Sequence, residues 1–320
     1  MADIRIATPT DVLDAVPALL RFYPTDSLVG LFLEHTPAGT LLAVTARFDL
    51  PDTPTDSHTM TSQIVEMLTR HHAAVFVLYT ADQDEARTTM QALLSHLDPT
   101  QVRLAVLATL PGWTTVDPDQ PHTINWTNPY PTHTGTVAAQ FAQHGTYALG
   151  TRADLADSIA APDAATTEDY ALGRSLDPIP AHPTPEQTVT LTEDVVRWIA
   201  AYLQQPTTVI AEEAAYIAAR IRLVQPRDAV FTLVNRGNGA AMAAMWQAVA
   251  ALTPDDDALP VLACLGLTAW IAGDGALANV ALDRARSLGD GPGASLRDLA
   301  AELLIRQVHP SLWEDLRRDL

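Results

Sequence analysis

The run Ala73-Ala-Val-Phe-Val-Leu-Tyr-Thr80 constrains the fold of this chain more than any other stretch. It has strand length, carries no charge and is apolar at nearly every position, so both faces of the strand it forms need cover. An isolated hairpin gives no such cover, whereas a sheet with helices packed on it does. The neighbouring segments agree. Residues 59–70 place Ile64, Met67 and Leu68 at helical spacing, and Asp82 stands as the N-cap of a helix with apolar positions Met90, Leu93, Leu94 and Leu97. Residues 102–110 then repeat the buried-strand pattern. Strand and helix in this alternation predict βαβ units, with parallel pairing and right-handed crossovers.

Upstream, Thr10 and Asp11 read as the cap of a helix ending at Leu20, followed by a turn over residues 22–26. Residues 27–34 and 40–50 are β-prone, and the Pro and Gly in residues 35–39 suit a hairpin loop. In the second of these strands Leu42, Val44, Ala46 and Phe48 face one way, and Thr45, Arg47 and Asp49 the other. From Pro111 to Gly135, five prolines and two tryptophans break the pattern. Short helices are expected over 137–144 and 151–160, and five more prolines mark 161–185 as a linker. Thr190-Leu-Thr-Glu193 resembles a capping box, and helical spacing runs through 195–203, 210–224, 227–234, 240–252, 259–272, 276–288 and 295–308. The expected architecture is an α/β domain (1–160) with a mixed sheet containing βαβ units. The linker 161–185 and an all-α, tetratricopeptide-like helical domain (186–320) follow.

Composition removes several chemistries. All 19 cationic residues are Arg. Without Lys there is no P-loop lysine, no Schiff base for pyridoxal phosphate and no kinase-type lysine. The single cysteine, Cys264, permits no disulfide within the chain and no cysteine-rich zinc site. It lies in an apolar helix, as a core thiol. The net charge of −19 argues against binding nucleic acid or an anionic membrane surface. The longest apolar stretch, residues 258–272, falls short of the ~20 residues that span a bilayer. No basic region precedes an apolar run at the N-terminus, so a cytoplasmic location is expected. Residues 1–185 hold 21 acids and 8 Arg (net −13) with nine of the ten histidines; residues 186–320 hold 17 acids and 11 Arg (net −6). Proton-transfer or metal chemistry is therefore expected in the first half.

Ligands of open α/β sheets bind beyond the carboxyl ends of the strands. Arg47 and Asp49, two apart on a strand, share a face there, and Thr80 and Asp82 follow the central strand. Residues 113–135 add Trp113, Asp117, Asp119, His122, Asn125, Trp126, Tyr130 and His133, as a lid or a binding loop. Their spacings match no metal signature, so no metal or cofactor is expected. His71-His72 suits the C-terminal dipole of a helix. No Gly-x-Ser-x-Gly elbow and no dinucleotide-type glycine motif after a strand occurs; Arg236-Gly-Asn-Gly239 links helices. Around Trp270, Gly273 and Gly275 permit a tight turn and Asp274 caps the next helix. Asn279 and Asp283, four apart, share a helical face that can line a peptide groove.

Three stretches carry a family resemblance. Leu13-Asp-Ala-Val-Pro17-Ala-Leu-Leu20 through Pro24-Thr-Asp26-Ser27-Leu28-Val29, then Thr45-Ala-Arg47-Phe-Asp49-Leu-Pro51, then Gly266-Leu-Thr-Ala-Trp270 with Gly273-Asp-Gly-Ala-Leu-Ala-Asn279-Val-Ala-Leu resemble an actinobacterial family, domain of unknown function 4192. The resemblance implies an intracellular actinobacterial protein of two parts and implies no activity. Many members carry a cysteine-rich stretch after a Gly-Arg-Trp-type motif. Here Gly112-Trp113 is followed by Asp117, Pro118, Asp119 and His122 with no cysteine, so a metal site held by those cysteines would be lost. Two functions fit these observations. The first is a non-enzymatic interaction or scaffold protein with a protein partner, its oligomeric state left open by the sequence. The alternative is a small-molecule-binding protein or enzyme with its site at the strand ends.

Overall fold

The computed structural model describes residues 4–37, 39–109, 112–120, 128–129, 135–143, 148, 150–306 and 308–318. The chain divides into two compact units, Met1–Arg152 and Ala153–Leu320.

The first unit runs α1 (Pro9–Leu20), β1 (Ser27–Thr36), β2 (Gly39–Asp49), α2 (Pro54–Arg70), β3 (Ala73–Tyr79), α3 (Gln83–Leu94), β4 (Val102–Ala108), β5 (Gly112–Val116), β6 (Asn128–Pro129) and α4 (Thr136–Gln143). Its mixed sheet has the order β2-β1-β3-β4-β5-β6. β3 and β4 are parallel, as the βαβ pattern predicts, and every other pair is antiparallel. The strand order, which the sequence leaves open, puts β1 between β2 and β3. β1 stays with its hairpin partner β2 and pairs its other edge with β3, from Ser27 opposite Tyr79 to Leu33 opposite Ala73. One expectation is corrected at residues 112–116, expected to be irregular. They form β5, because Thr109 N–H donates to Gly112 O (2.8 Å) and closes a tight hairpin with β4. The β-prone Trp-Thr-Thr-Val that follows continues the ladder.

As expected, all seven residues of β3 are buried. Leu28, Phe32, Phe76, Leu78 and Leu107 on one sheet face pack with Ile64 and Met67 of α2 and Met90 and Leu93 of α3. Val44, Ala46 and Phe48 of β2 lie against this cluster, on the face their alternation predicts. Val29, Leu31, Val75, Val77 and Val106 on the opposite face are also buried.

Helix starts follow side-chain capping. α1 begins two residues earlier than Thr10 suggests, with Thr8 as cap, Pro9 at the first position and Asp11 closing the box. The second unit contains α5 (Arg152–Asp157), α6 (Ala164–Leu176), α7 (Pro185–Gln204), α8 (Ala211–Ile221) and α9 (Val224–Val230). It continues with α10 (Gly239–Leu252), α11 (Asp255–Ala272), α12 (Gly275–Ser287), α13 (Ala294–Ile305) and α14 (Leu312–Leu316). Residues 161–185 are not a bare linker, since Asp163 caps α6 and Tyr170 and Gly173 are buried on it. α7 is capped by Thr184 with Gln187, so Thr190–Glu193 lie inside the helix rather than at its start. α11 is buried nearly all round and packs with α8, α10, α12 and α13. At Gly266 a Cβ would come within 2.6 Å of Leu282, so glycine sets the close approach of α11 to α12. Among the described residues no helix is long and apolar enough to cross a membrane.

Candidate functional site

The pairing registers align Asp49, Ser27, Tyr79, Ala108, Trp113 and Asn128 in one row across the strand ends. Arg47, Val29, Val77, Val106 and Thr115 form the next row on the same face. Asp49 and Trp113 are four strands apart, about 19 Å at the usual strand spacing. No single small ligand bridges them.

Arg47 Nη1 donates to Asp49 Oδ1 at 2.6 Å, and its guanidinium lies 6.0 Å from the ring centre of Phe22. The Asp49 side chain is 84% exposed, so the pair sits at the solvent edge. Two buried donors beside it, Ser27 Oγ and Arg47 Nε, have no partner among the described residues. Thr80 and Asp82 belong to the other side of the sheet, with α3. Thr80 Oγ1 donates to Glu85 Oε2 (2.8 Å), and Asp82 Oδ1 accepts from the amides of Asp84 (2.8 Å) and Glu85 (3.1 Å). Their oxygens are engaged in starting α3. The fold thus separates Arg47 and Asp49 from Thr80 and Asp82.

Trp113 is partly buried on β5, and Asp117 is exposed, its Oδ1 accepting from Asp119 N (2.9 Å) in the turn that ends the strand. His122, Asn125, Trp126, Tyr130 and His133 lie outside the described residues. Among the described residues no group of three His, Cys, Asp or Glu is placed to hold a metal.

In the helical unit Trp270 is buried, and its Nε1 donates to Val308 O at 3.0 Å. It anchors the chain after α13 and presents no surface. Asp274 caps α12 as expected, accepting from Leu277 N (3.0 Å) after Gly273 at φ 81°. Asn279 and Asp283 are exposed on α12, where Asn279 Nδ2 donates to Gly275 O (2.9 Å) and Asp283 accepts from Arg286 (2.8 Å). Cys264 is fully buried and its thiol is pushed up to about 12 by burial, which leaves it no thiolate at neutral pH.

His71 ends α2 with its Nδ1 3.5 Å from Glu34 Oε1. Burial holds it below the ordinary imidazole value, while Glu34 acts in the opposite direction. Reasoning from sequence missed the ionic cluster of the helical unit. Tyr170 OH donates to Asp257 Oδ2 (2.9 Å), which Arg174 Nε approaches to 3.3 Å, and Arg222 donates to the other carboxylate oxygen. The signal available was three consecutive acids, Asp255–Asp257, directly before an apolar helix.

No curated protein matches the chain, and no solved structure does. A family model does, over residues 9–311, and those limits take in both units and all three stretches that carry the resemblance. The chain belongs to the family described as Domain of unknown function (DUF4192).

Proposed function

We propose that this chain is a non-enzymatic interaction protein of the cytoplasm that holds a protein partner through its helical unit. The observation that carries the reading is the outer face of α6. Tyr170 and Gly173 are buried on one side of that helix, while Leu172 (54% exposed) and Leu176 (72%), one turn apart, point the other way. Two large leucines repeated on one exposed helical stripe suit a partner that covers them. Support also comes from the strand ends, where Thr80, Asp82 and Arg47 are engaged within the chain. Tetratricopeptide-like stacking of α10 to α13, joined by short turns, is part of the same reading. The test is affinity capture from native lysate with the intact protein and with Leu172→Asp plus Leu176→Asp. A stoichiometric partner retained by the first and lost by the second is the expected result. Equal capture by both, or turnover of a small molecule by the protein alone, overturns the reading.

One observation favours the alternative, a small-molecule site at the strand ends. Ser27 Oγ and Arg47 Nε are buried donors on neighbouring strands, diagonal in register and without partners among the described residues. Buried donors are normally satisfied, so an acceptor such as a carboxylate or phosphate oxygen suits this spot. A thermal-shift screen with nucleotides, metabolites and divalent metals tests it. A ligand that raises Tm for the parent and not for Arg47→Ala supports the alternative, and a flat screen removes it.

A further inference from the structure

Among the described residues β2 is an edge strand, paired with β1 alone. Leu50 N–H donates to Asp26 O (3.3 Å), the pair that follows Ser27 and Asp49 in the β1–β2 register. Bonded and unbonded pairs alternate in an antiparallel ladder, so Phe48 and Ala46 also turn their backbone groups toward β1. Thr45, Arg47 and Asp49 therefore turn theirs outward, and among the described residues nothing bonds to those backbone groups. Such an open edge is a template for another strand, which Lys, Pro, a bulge or charge normally blocks. Residues 44–50 contain no Pro, the chain has no Lys, and the bulge at Ala43 lies outside this stretch. The charges on it are one of each sign, Arg47 and Asp49.

We propose that a second copy of this chain occupies the edge, β2 against β2, joining two sheets about a two-fold axis at Phe48. Symmetry allows few registers, because a residue on the axis must stand opposite itself. An axis at Arg47 sets two guanidiniums against each other, which is destabilising, and an axis at Ala46 leaves both charges without a counterpart. An axis at Phe48 sets Arg47 of each copy opposite Asp49 of the other, and these two exchange their outward N–H and C=O bonds. Arg47 and Asp49 are already joined on each strand at 2.6 Å with the carboxylate 84% exposed, so the four groups form a square of alternating charge. On the other face Phe48 stands against its copy and Ala46 against Leu50. All three are partly buried against the apolar cluster of the sheet, and the pairing extends their cover. Charges that exclude a foreign strand thus select the chain's own. Beyond the paired stretch the exposed Leu41 and Leu42 run beside the second copy's turn at Pro51 and add apolar contact. The net charge of −19 opposes association at long range, an effect that physiological salt confines to about 8 Å. This contact belongs to the sheet unit and uses none of the α6 surface.

Sedimentation velocity of the intact protein at physiological salt tests the pairing, and a mass twice that of one chain is expected. Arg47→Glu and Asp49→Arg each set like charges opposite one another and should raise the dimer dissociation constant at least about tenfold. Mixed in equal amounts, the two variants regain opposite charges at both pairs and should recover the dimer, which two misfolded chains could not do. Phe48→Cys, on the axis, should give a disulfide-linked dimer under mild oxidation, because directly opposed strand residues lie within disulfide reach. Ala46→Cys, off the axis, should not, and the native Cys264 is buried. A parent protein that stays monomeric overturns the proposal, whether or not its edge takes up an extended peptide of another protein. So does a dimer that survives both charge reversals, or a pair of variants that fails to recover it on mixing.

Discussion

Among the described residues the sheet unit buries one carboxylate, Asp14, and no guanidinium, its other buried polar groups being Ser27, His71, Thr80, Thr109 and Thr114, whereas the helical unit buries Arg220, Arg227, Asp257 and Arg297. The difference follows from where backbone polar groups end up. A sheet joins its N–H and C=O groups strand to strand, and the helix start that follows β3 is capped by the short side chain of Asp82. Every helix instead leaves carbonyls unpaired at its C-terminus. Packing many short helices brings those carbonyls indoors. Just past helix ends, Arg297 donates to Gly289 O (2.6 Å) and Arg284 to Ile159 O, while within α8 Arg220 adds a second donor to Tyr216 O (3.0 Å). Each guanidinium also holds a carboxylate: Asp177 for Arg220, Asp290 and Asp298 for Arg297, and Asp255 for Arg284. One planar group with five donors performs both tasks, which a single ammonium cannot match. An all-arginine cation set therefore has a structural use in one unit and much less in the other.

If that contrast is right, removing a buried acid from the helical unit has the largest effect. Asp257 receives Tyr170 and Arg222 and lies beside Arg174, so Asp257→Ala strands a hydroxyl and two cations. The arginines are partly exposed, which lowers the cost, and about 3 kcal/mol of stability is expected to go. Urea denaturation followed by circular dichroism reads the loss. Asp257→Asn, which still accepts from Tyr170, should recover part of it. A change below about 0.5 kcal/mol in the alanine variant erases the distinction between the units.

Next comes the shape of the cation. Arg220 is buried, its guanidinium 3.3 Å from the ring centre of Tyr216 while it holds Asp177 and the Tyr216 carbonyl. Arg220→Lys keeps the charge and loses the fork and the stacking plane, for about 1–2 kcal/mol in the same experiment. Equal stability would mean that charge alone matters there. On the sheet side the comparable element is a cap. Asp82→Ala should cost about 1 kcal/mol, recovered largely by Asp82→Ser or Asp82→Asn.

These elements also show how much the sequence revealed. β3 was legible because seven apolar residues in a row admit one environment. Asp82 and Asp274 were legible as caps because capping acts over two or three residues. Thr190–Glu193 has the same local pattern and is no cap, since Thr184-Pro185 starts that helix a turn and a half earlier. The position of β1 between β2 and β3 is a choice of edge, which no local pattern records. At the candidate site the sequence placed Arg47 and Asp49 together correctly, and their row with Ser27 depends on register. Thr80 and Asp82 are near in sequence to β3 but serve α3 on the far side, a separation set by which way the strand ends. The ionic cluster on Asp257 joins residues up to 87 positions apart, beyond any motif.

A smaller effect is expected from His71, the sheet unit's buried histidine. Burial lowers its pKa below 6.5, so as pH falls through 6.5 the unfolded chain takes up the proton first. Its contribution to stability is complete above that value and is lost on the way down to the lower folded value. Replacing it by Phe, beside Phe32 at 5.8 Å, should flatten the stability profile between pH 7 and pH 5. An unchanged slope assigns the acid sensitivity elsewhere.

The smallest expected effect is at the pair that first drew attention in the sequence. Arg47 and Asp49 are joined at 2.6 Å, yet the carboxylate is 84% exposed, and such pairs are worth about 0.2–1 kcal/mol. A double-mutant cycle with Arg47→Ala and Asp49→Ala should give a coupling below about 0.5 kcal/mol, decreasing further with added salt. Arg47→Ala on its own should cost more than Asp49→Ala, because the guanidinium stem also covers Phe22 while the carboxylate covers nothing comparable. A coupling as large as that of the Asp257 cluster would place a strong ionic interaction in the sheet unit. In that case the two units differ in where their charges lie and not in how they use them.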